Sequence, residues 1–121
     1  MTEQQTPTLI PTKYRFIYAV EDKPDEEFEV QWPKDPGYDL IMTVVEQIFP
    51  RHTSEHVSVL YNNQPCDMFV DETGHWKKLP RNNKATDIYR ANWLKQHPTA
   101  HPETLSHIVG DVILFERRIW Y

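Results

Sequence analysis

The apolar residues of this chain switch repeatedly between two periods, and each switch is punctuated by proline, glycine or asparagine. Glu27-Phe28-Glu29-Val30-Gln31-Trp32 alternates with period two, as a half-buried strand does. After Pro33, Pro36 and Gly37, the residues Ile41, Val44, Val45, Ile48 and Phe49 recur at i, i+3, i+4, i+7 and i+8. That spacing is one face of an amphipathic helix, which Pro50 ends. Tyr14 to Val20 is aromatic and β-branched and reads as a strand that hairpins with Glu27–Trp32 through a Lys23-Pro24-Asp25 turn. Val57–Tyr61 and Met68–Val70 read as two more strands, separated by the turn residues Asn62-Asn63-Gln64-Pro65. Asn82 or Asn83 caps a second helix of about twelve residues that ends near His97-Pro98, with Ala85, Ile88, Tyr89 and Trp93 on its inner side. A last strand runs from Asp111 to Trp120.

The resulting order, β-β-α-β-β-α-β, predicts an α+β fold. The expected form is one mixed, mostly antiparallel sheet of about five strands with two helices packed on one face. At 121 residues this is a single domain with one modest core, residues 13–121, preceded by a polar flexible tail over 1–12. Hydrophobic residues make up 39% of the chain, enough to exclude wholesale disorder. No apolar run approaches the roughly 18 residues that span a bilayer. Residues 1–8 lack the basic and apolar regions of a signal peptide. A lone cysteine, Cys66, excludes an intramolecular disulfide and suits a reducing compartment. The expected location is cytoplasmic.

Charge is distributed unevenly. The formal net charge is −5, which argues against stable non-specific DNA binding. Residues 21–29 carry six acids against Lys23, while residues 76–95 carry Lys77, Lys78, Arg81, Lys84, Arg90 and Lys95 against Asp87. Two opposed surfaces, one acidic and one basic, are the expectation. The basic run leads into a helix N-terminus, where unpaired N–H groups favour an anion. Lys77, Lys78, Arg81, Asn82, Asn83 and Lys84 are therefore candidate ligands for a nucleotide-like anion, with Trp76 beside them for stacking. The plainer reading makes the asparagine a helix cap, Gly74 a turn and the lysines solvated. For contact with another protein the candidates are Glu26, Glu27 and Glu29 on the acidic run, with Trp32 and Trp76 as aromatic anchors.

Two histidine pairs, His52/His56 and His97/His101, have a spacing of four that suits zinc on a helix, but Pro50 and Pro98 break both contexts. His107 adds to the second pair. No metal site is expected. No nucleophile elbow, phosphate loop or zinc-protease motif is present, so no catalytic residue and no cofactor are assigned and the reading leans away from an enzyme.

Met68-Phe69-Val70-Asp71-Glu72-x-Gly74, Leu79-Pro80-x-Asn82-x-x-Ala85-Thr86 and Ile108-Val109-Gly110-Asp111-Val112 together resemble a family of phage, plasmid and bacterial proteins, the domain of unknown function 3846 type. The likeness spans about residues 57–115. It implies no reaction, cofactor or catalytic residue. It implies a small accessory protein of a mobile element, of a kind that inhibits or diverts host machinery, antiviral defence included. The partner is then a host protein in the host cell's cytoplasm, with a nucleotide-like small anion as the alternative and a homo-oligomer as a possible assembly. A histidine-based metal-dependent enzyme ranks last.

Overall fold

The computed structural model describes residues 8–49, 53–73, 77–99, 101 and 107–121. Its elements are β1 (Ile10–Ile17), β2 (Glu26–Trp32), α1 (Tyr38–Val45), β3 (Ser54–Tyr61), β4 (Gln64–Asp71), α2 (Asn83–Gln96) and β5 (Val112–Phe115). The five strands form one sheet in the order β2-β1-β5-β4-β3, and every neighbouring pair is antiparallel. The class is α+β with the expected element order.

The placement of the helices differs from the expectation. They cover opposite faces of the sheet, not one. Ile41, Val44 and Val45 of α1 pack with Tyr14, Phe16, Phe69, Ile113 and Phe115. Ala85 of α2 packs with Ile17, Met68, Val70, Val112 and Leu114, and Ile88 and Tyr89 join from the same helix. The cause lies in β5, the last strand in sequence and the middle one in space. Val112-Ile113-Leu114-Phe115 is apolar at every position, and each residue is fully buried. Successive side chains of a strand point to opposite faces, so a continuous apolar strand needs a cover on both sides. Burying each such side chain is worth ~1.5–3 kcal/mol, so these four together rival a typical domain's net stability.

Several boundaries also moved. β1 begins at Ile10, so residues 10–12 are sheet, not tail. Ile10 pairs with Trp32 and Thr12 with Val30. Thr12 is fully buried, and its hydroxyl accepts Arg117 Nε–H at 2.9 Å. β5 stops at Phe115, five residues short of Trp120. Beyond it the chain leaves the sheet, because Arg117 donates to the carbonyls of Pro33 and Lys34 and Asp67 Oδ2 accepts the N–H groups of Ile119 and Trp120. The β3–β4 turn is tighter than expected. Asn62 and Asn63 both have positive φ (52° and 62°), the signature of a two-residue type I′ turn. Pro65 therefore falls inside β4, where its missing N–H faces away from β3 at a level that β5 does not reach.

Candidate functional site

The stretch expected to bind an anion is, at its centre, a structural clasp. Asn82 is fully buried. Its Oδ1 accepts the N–H of Ala85 at 3.1 Å, the expected N-cap bond. Its Nδ2 donates to the carbonyls of Ile17 at 2.9 Å and Gly110 at 3.0 Å. One side chain thus joins the end of β1, the entry to β5 and the start of α2. Backbone bonds reinforce the joint: Asn82 N–H donates to Ile108 and Gly110 N–H to Pro80, both at 2.8 Å. The Thr86 hydroxyl accepts the N–H of Ile108 at 2.9 Å, and Asp111 Oδ1 accepts the N–H of Ala19 at 2.9 Å. Gly110 has φ +76°, and a Cβ there would lie 2.8 Å from Leu79 Cδ1. The motif residues 79–86 and 108–112 therefore face one another for reasons of packing. Asn82 is not available to a ligand, because it is fully buried and its two N–H groups and its amide oxygen are engaged inside the fold.

The charged runs are not opposed surfaces either, because the sheet brings them together. Lys84 Nζ lies 3.0 Å from Asp25, and Asn83 donates to Glu21. Arg15 of β1 is held by Asp25 at 3.3 Å, by Glu116 at 3.2 Å and by Glu27, with its guanidinium 5.3 Å from the Tyr61 ring centre. Lys77 lies 3.3 Å from Asp71. The Thr73 hydroxyl and N–H also donate to Asp71, each at 2.8 Å. Burial alone would raise the Asp71 carboxyl, but these donors outweigh it and hold its pKa below the ordinary carboxylate value. Of the candidate anion ligands, Lys78 and Arg81 remain exposed and carry no ion pair among the described residues. A phosphate at this helix start would compete with carboxylates already in place.

The protein-contact candidates divide in three ways. Trp32 is a core residue, 6% exposed and stacked on Phe115 with ring centres 5.7 Å apart, so it cannot anchor a partner. It ends β2 on the face that α1 covers, opposite Ile10. Trp76 lies outside the described residues. Glu26, Glu27 and Glu29 are exposed on β2, an outer strand of the sheet. Glu26 accepts the Tyr18 hydroxyl, and burial together with that carboxylate pushes the Tyr18 phenol up to about 12. Glu27 serves Arg15, and Glu29 stands across from Lys13.

Of the described histidines, His56 and His107 line one cavity, beside β3. His52 and His75 lie outside the described residues. His97 stacks on Trp93 at 4.2 Å at the end of α2, and His101 is exposed. Among the described residues no group of three histidine, cysteine or acidic side chains is placed to hold a metal ion. His56 is different. Its Nε2 lies 2.6 Å from Oδ1 of Asp67, a carboxylate 2% exposed. The ring also stacks on Trp120 at 5.3 Å and 16°. Asp67 sits in the apolar strand Cys66–Val70, and a charge in such a strand is the sequence signal that marks a buried, fully partnered carboxylate.

His56 belongs to the outer strand β3, and a cavity flanks that strand on each face. On the α1 side a half-open cavity of about 290 Å³ is lined by Tyr38, Met42, Ser54, His56, Phe69 and Trp120. On the α2 side about 340 Å³ is bounded in part by Glu55, Val57, Val70, Glu72, Tyr89 and Ile108. Small-ligand pockets run roughly 300–1,000 Å³, so the first lies just below that range and the second at its low end. No helix among the described residues is long and apolar enough to cross a membrane. Comparison with known proteins finds no matching family model, no matching curated protein and no matching solved structure.

Proposed function

We propose that this is a small non-enzymatic binding protein of a phage or mobile element, which inhibits or diverts a host factor through protein–protein contact. An antiviral defence protein is one such factor. The mobile-element context comes from the family resemblance of residues 57–115. The contact reading is carried by one observation: the sheet ends in two outer strands, β2 and β3, whose far sides pair with no further strand among the described residues. An unpaired strand edge is a template for another chain. The two edges are unlike. β2 presents Glu26, Glu27 and Glu29, charges that discourage indiscriminate pairing, whereas β3 is bordered by cavities. The nucleotide-like anion reading has less support, because Asn82 is buried and Lys77 and Lys84 are paired with carboxylates.

The test is affinity capture from host lysate with the purified chain, followed by mass spectrometry and by reconstitution with the recovered protein. A specific partner that binds the isolated chain directly is the expected result. Recovery of nothing beyond the background of an unrelated acidic protein sinks the reading. A thermal shift with a nucleotide that is abolished by Arg81→Ala would favour the anion instead.

A further inference from the structure

We propose that the outer edge of β3 at Ser54–Val57 is a peptide-docking site for an extended segment in which an aromatic residue adjoins a lysine or arginine. This rests on the reading of the chain as a binding protein and assigns where, and to what chemistry, it binds.

The backbone of β3 sets the geometry. A two-residue type I′ turn is closed by a pair that exchanges both hydrogen bonds, here Tyr61 and Gln64. Counting back by twos, Val59, Val57 and Glu55 bond inward to β4. Leu60, Ser58, His56 and Ser54 then direct their N–H and C=O groups outward. The Ser58 carbonyl confirms this parity, since it accepts Asn92 Nδ2 of α2 at 3.2 Å. The helix thus closes the edge at Ser58. At Ser54 and His56 two N–H and two C=O groups face outward with no partner among the described residues. An extended segment laid there as a sixth strand would satisfy them.

A sixth strand would continue the pleat of β3, so its successive side chains would alternate between the two faces. Each face offers a cavity at that level, and the two differ in chemistry. On the α1 side the walls are Tyr38, Phe69, Trp120 and His56. The His56 ring is fixed by Asp67 and by its stack on Trp120, so these aromatic walls are held in place before any ligand arrives. This cavity suits an aromatic side chain. On the α2 side the lining combines apolar Val57, Val70 and Ile108 with Tyr89 and His107, and the exposed carboxylates Glu55 and Glu72 border it. That suits a long basic side chain, whose stem lies on the apolar residues while its head meets the acids. Asp71 in the same lining is already satisfied by Thr73 and Lys77.

The probe is a capped seven-residue peptide alternating tryptophan and arginine within a threonine-rich frame, titrated into the full chain and followed by amide NMR. Expected are shifts at Ser54, His56, Tyr89 and the Trp120 indole, and a loss of affinity of about tenfold or more when either tryptophan becomes alanine or arginine becomes glutamate. Ser54→Pro removes an outward N–H without touching the β3–β4 ladder and should abolish binding. Glu55→Lys, at an exposed position, should reverse the preference from the arginine to the glutamate peptide. Absence of peptide binding, shifts that map elsewhere, or affinity unchanged by Ser54→Pro and Glu55→Lys would overturn the site. So would a concentration-dependent dimer joined through β3 that the peptide cannot dissociate, because the occupant would then be a second copy. A partner captured from lysate and retained equally by Ser54→Pro removes this site while leaving the binding-protein reading intact. Peptide binding without any captured partner does the reverse.

Discussion

Replacing Asn82 separates a buried clasp from an ordinary exposed helix cap. In Asn82→Ala the Ala85 N–H loses its acceptor, and the Ile17 and Gly110 carbonyls lose a donor in a site with no access to water. Loss of an N-cap alone costs about 0.5–2 kcal/mol, and each buried polar group left unpaired adds about 1–3 kcal/mol. Partial relaxation keeps the total near 3–5 kcal/mol, a large part of a small domain's net stability. Asn82→Asp is the sharper test. At an exposed cap aspartate equals asparagine, and its charge is favoured by the helix dipole. Here one carboxylate oxygen would still accept the Ala85 N–H, but the other would replace the Nδ2 donor and face two carbonyl oxygens. A buried, repelled carboxylate should cost at least as much as the alanine. Urea unfolding followed by circular dichroism and tryptophan fluorescence measures both, with exposed Asn83→Ala as control at under about 1 kcal/mol. An Asn82→Asp variant within about 0.5 kcal/mol of the parent, or an alanine variant losing less than about 1 kcal/mol, would refute the clasp.

Gly110→Ala should cost about 1–3 kcal/mol, because φ is +76° and the new Cβ would lie 2.8 Å from Leu79 Cδ1. Adding Leu79→Ala should recover the steric share only, so full additivity in the double variant would show that the clash is not real. Cys66 is 2% exposed, and burial pushes its thiol up to about 11. Thiol labelling at pH 8 should therefore be slow in the native protein and fast in denaturant, and equal rates would contradict the burial. The raised value also contributes stability that is complete below the unfolded thiol pKa of about 8.5 and is lost as pH rises toward 11. Asp71 has the opposite sign. Its lowered pKa contributes stability that is present above about pH 4 and lost as pH falls through the folded value, so Asp71→Asn should flatten the acid limb of the stability profile. An unchanged acid limb would remove that assignment.

Much of the local structure was legible because it depends on near neighbours. Alternation marked β2, and the apolar spacing of Ile41, Val44, Val45, Ile48 and Phe49 marked α1, although the helix ends at Val45 and leaves Ile48 and Phe49 beyond it. A cap at Asn82 or Asn83 was legible, since the cap bond to Ala85 spans only three residues, and the structure assigns it to Asn82. What the same side chain does with its amide nitrogen was not legible, because Ile17 and Gly110 lie 65 and 28 residues away. Trp32 failed as an interface anchor for a related reason. Its type suits a hot spot and a core equally, and only its place at the end of β2 under α1 settles which. The site at β3 left a fainter trace, a histidine in an alternating strand and an aspartate in an apolar one.

The sequence by itself determined the α+β class, the element order and the positions of most strands and helices, because hydrophobic period and turn chemistry act over a few residues. Only the tertiary structure decided how distant segments meet. It placed the last strand, β5, in the middle of the sheet, apolar on both faces, and so sent the two helices to opposite sides. It carried the acidic residues 21–27 to the basic start of α2, where Asp25 pairs with Lys84 and Asn83 donates to Glu21, so the two charged runs adjoin. Strand pairing sets which charges become neighbours, and pairing between strands a hundred residues apart is a property of the whole chain's packing, with no local pattern to announce it.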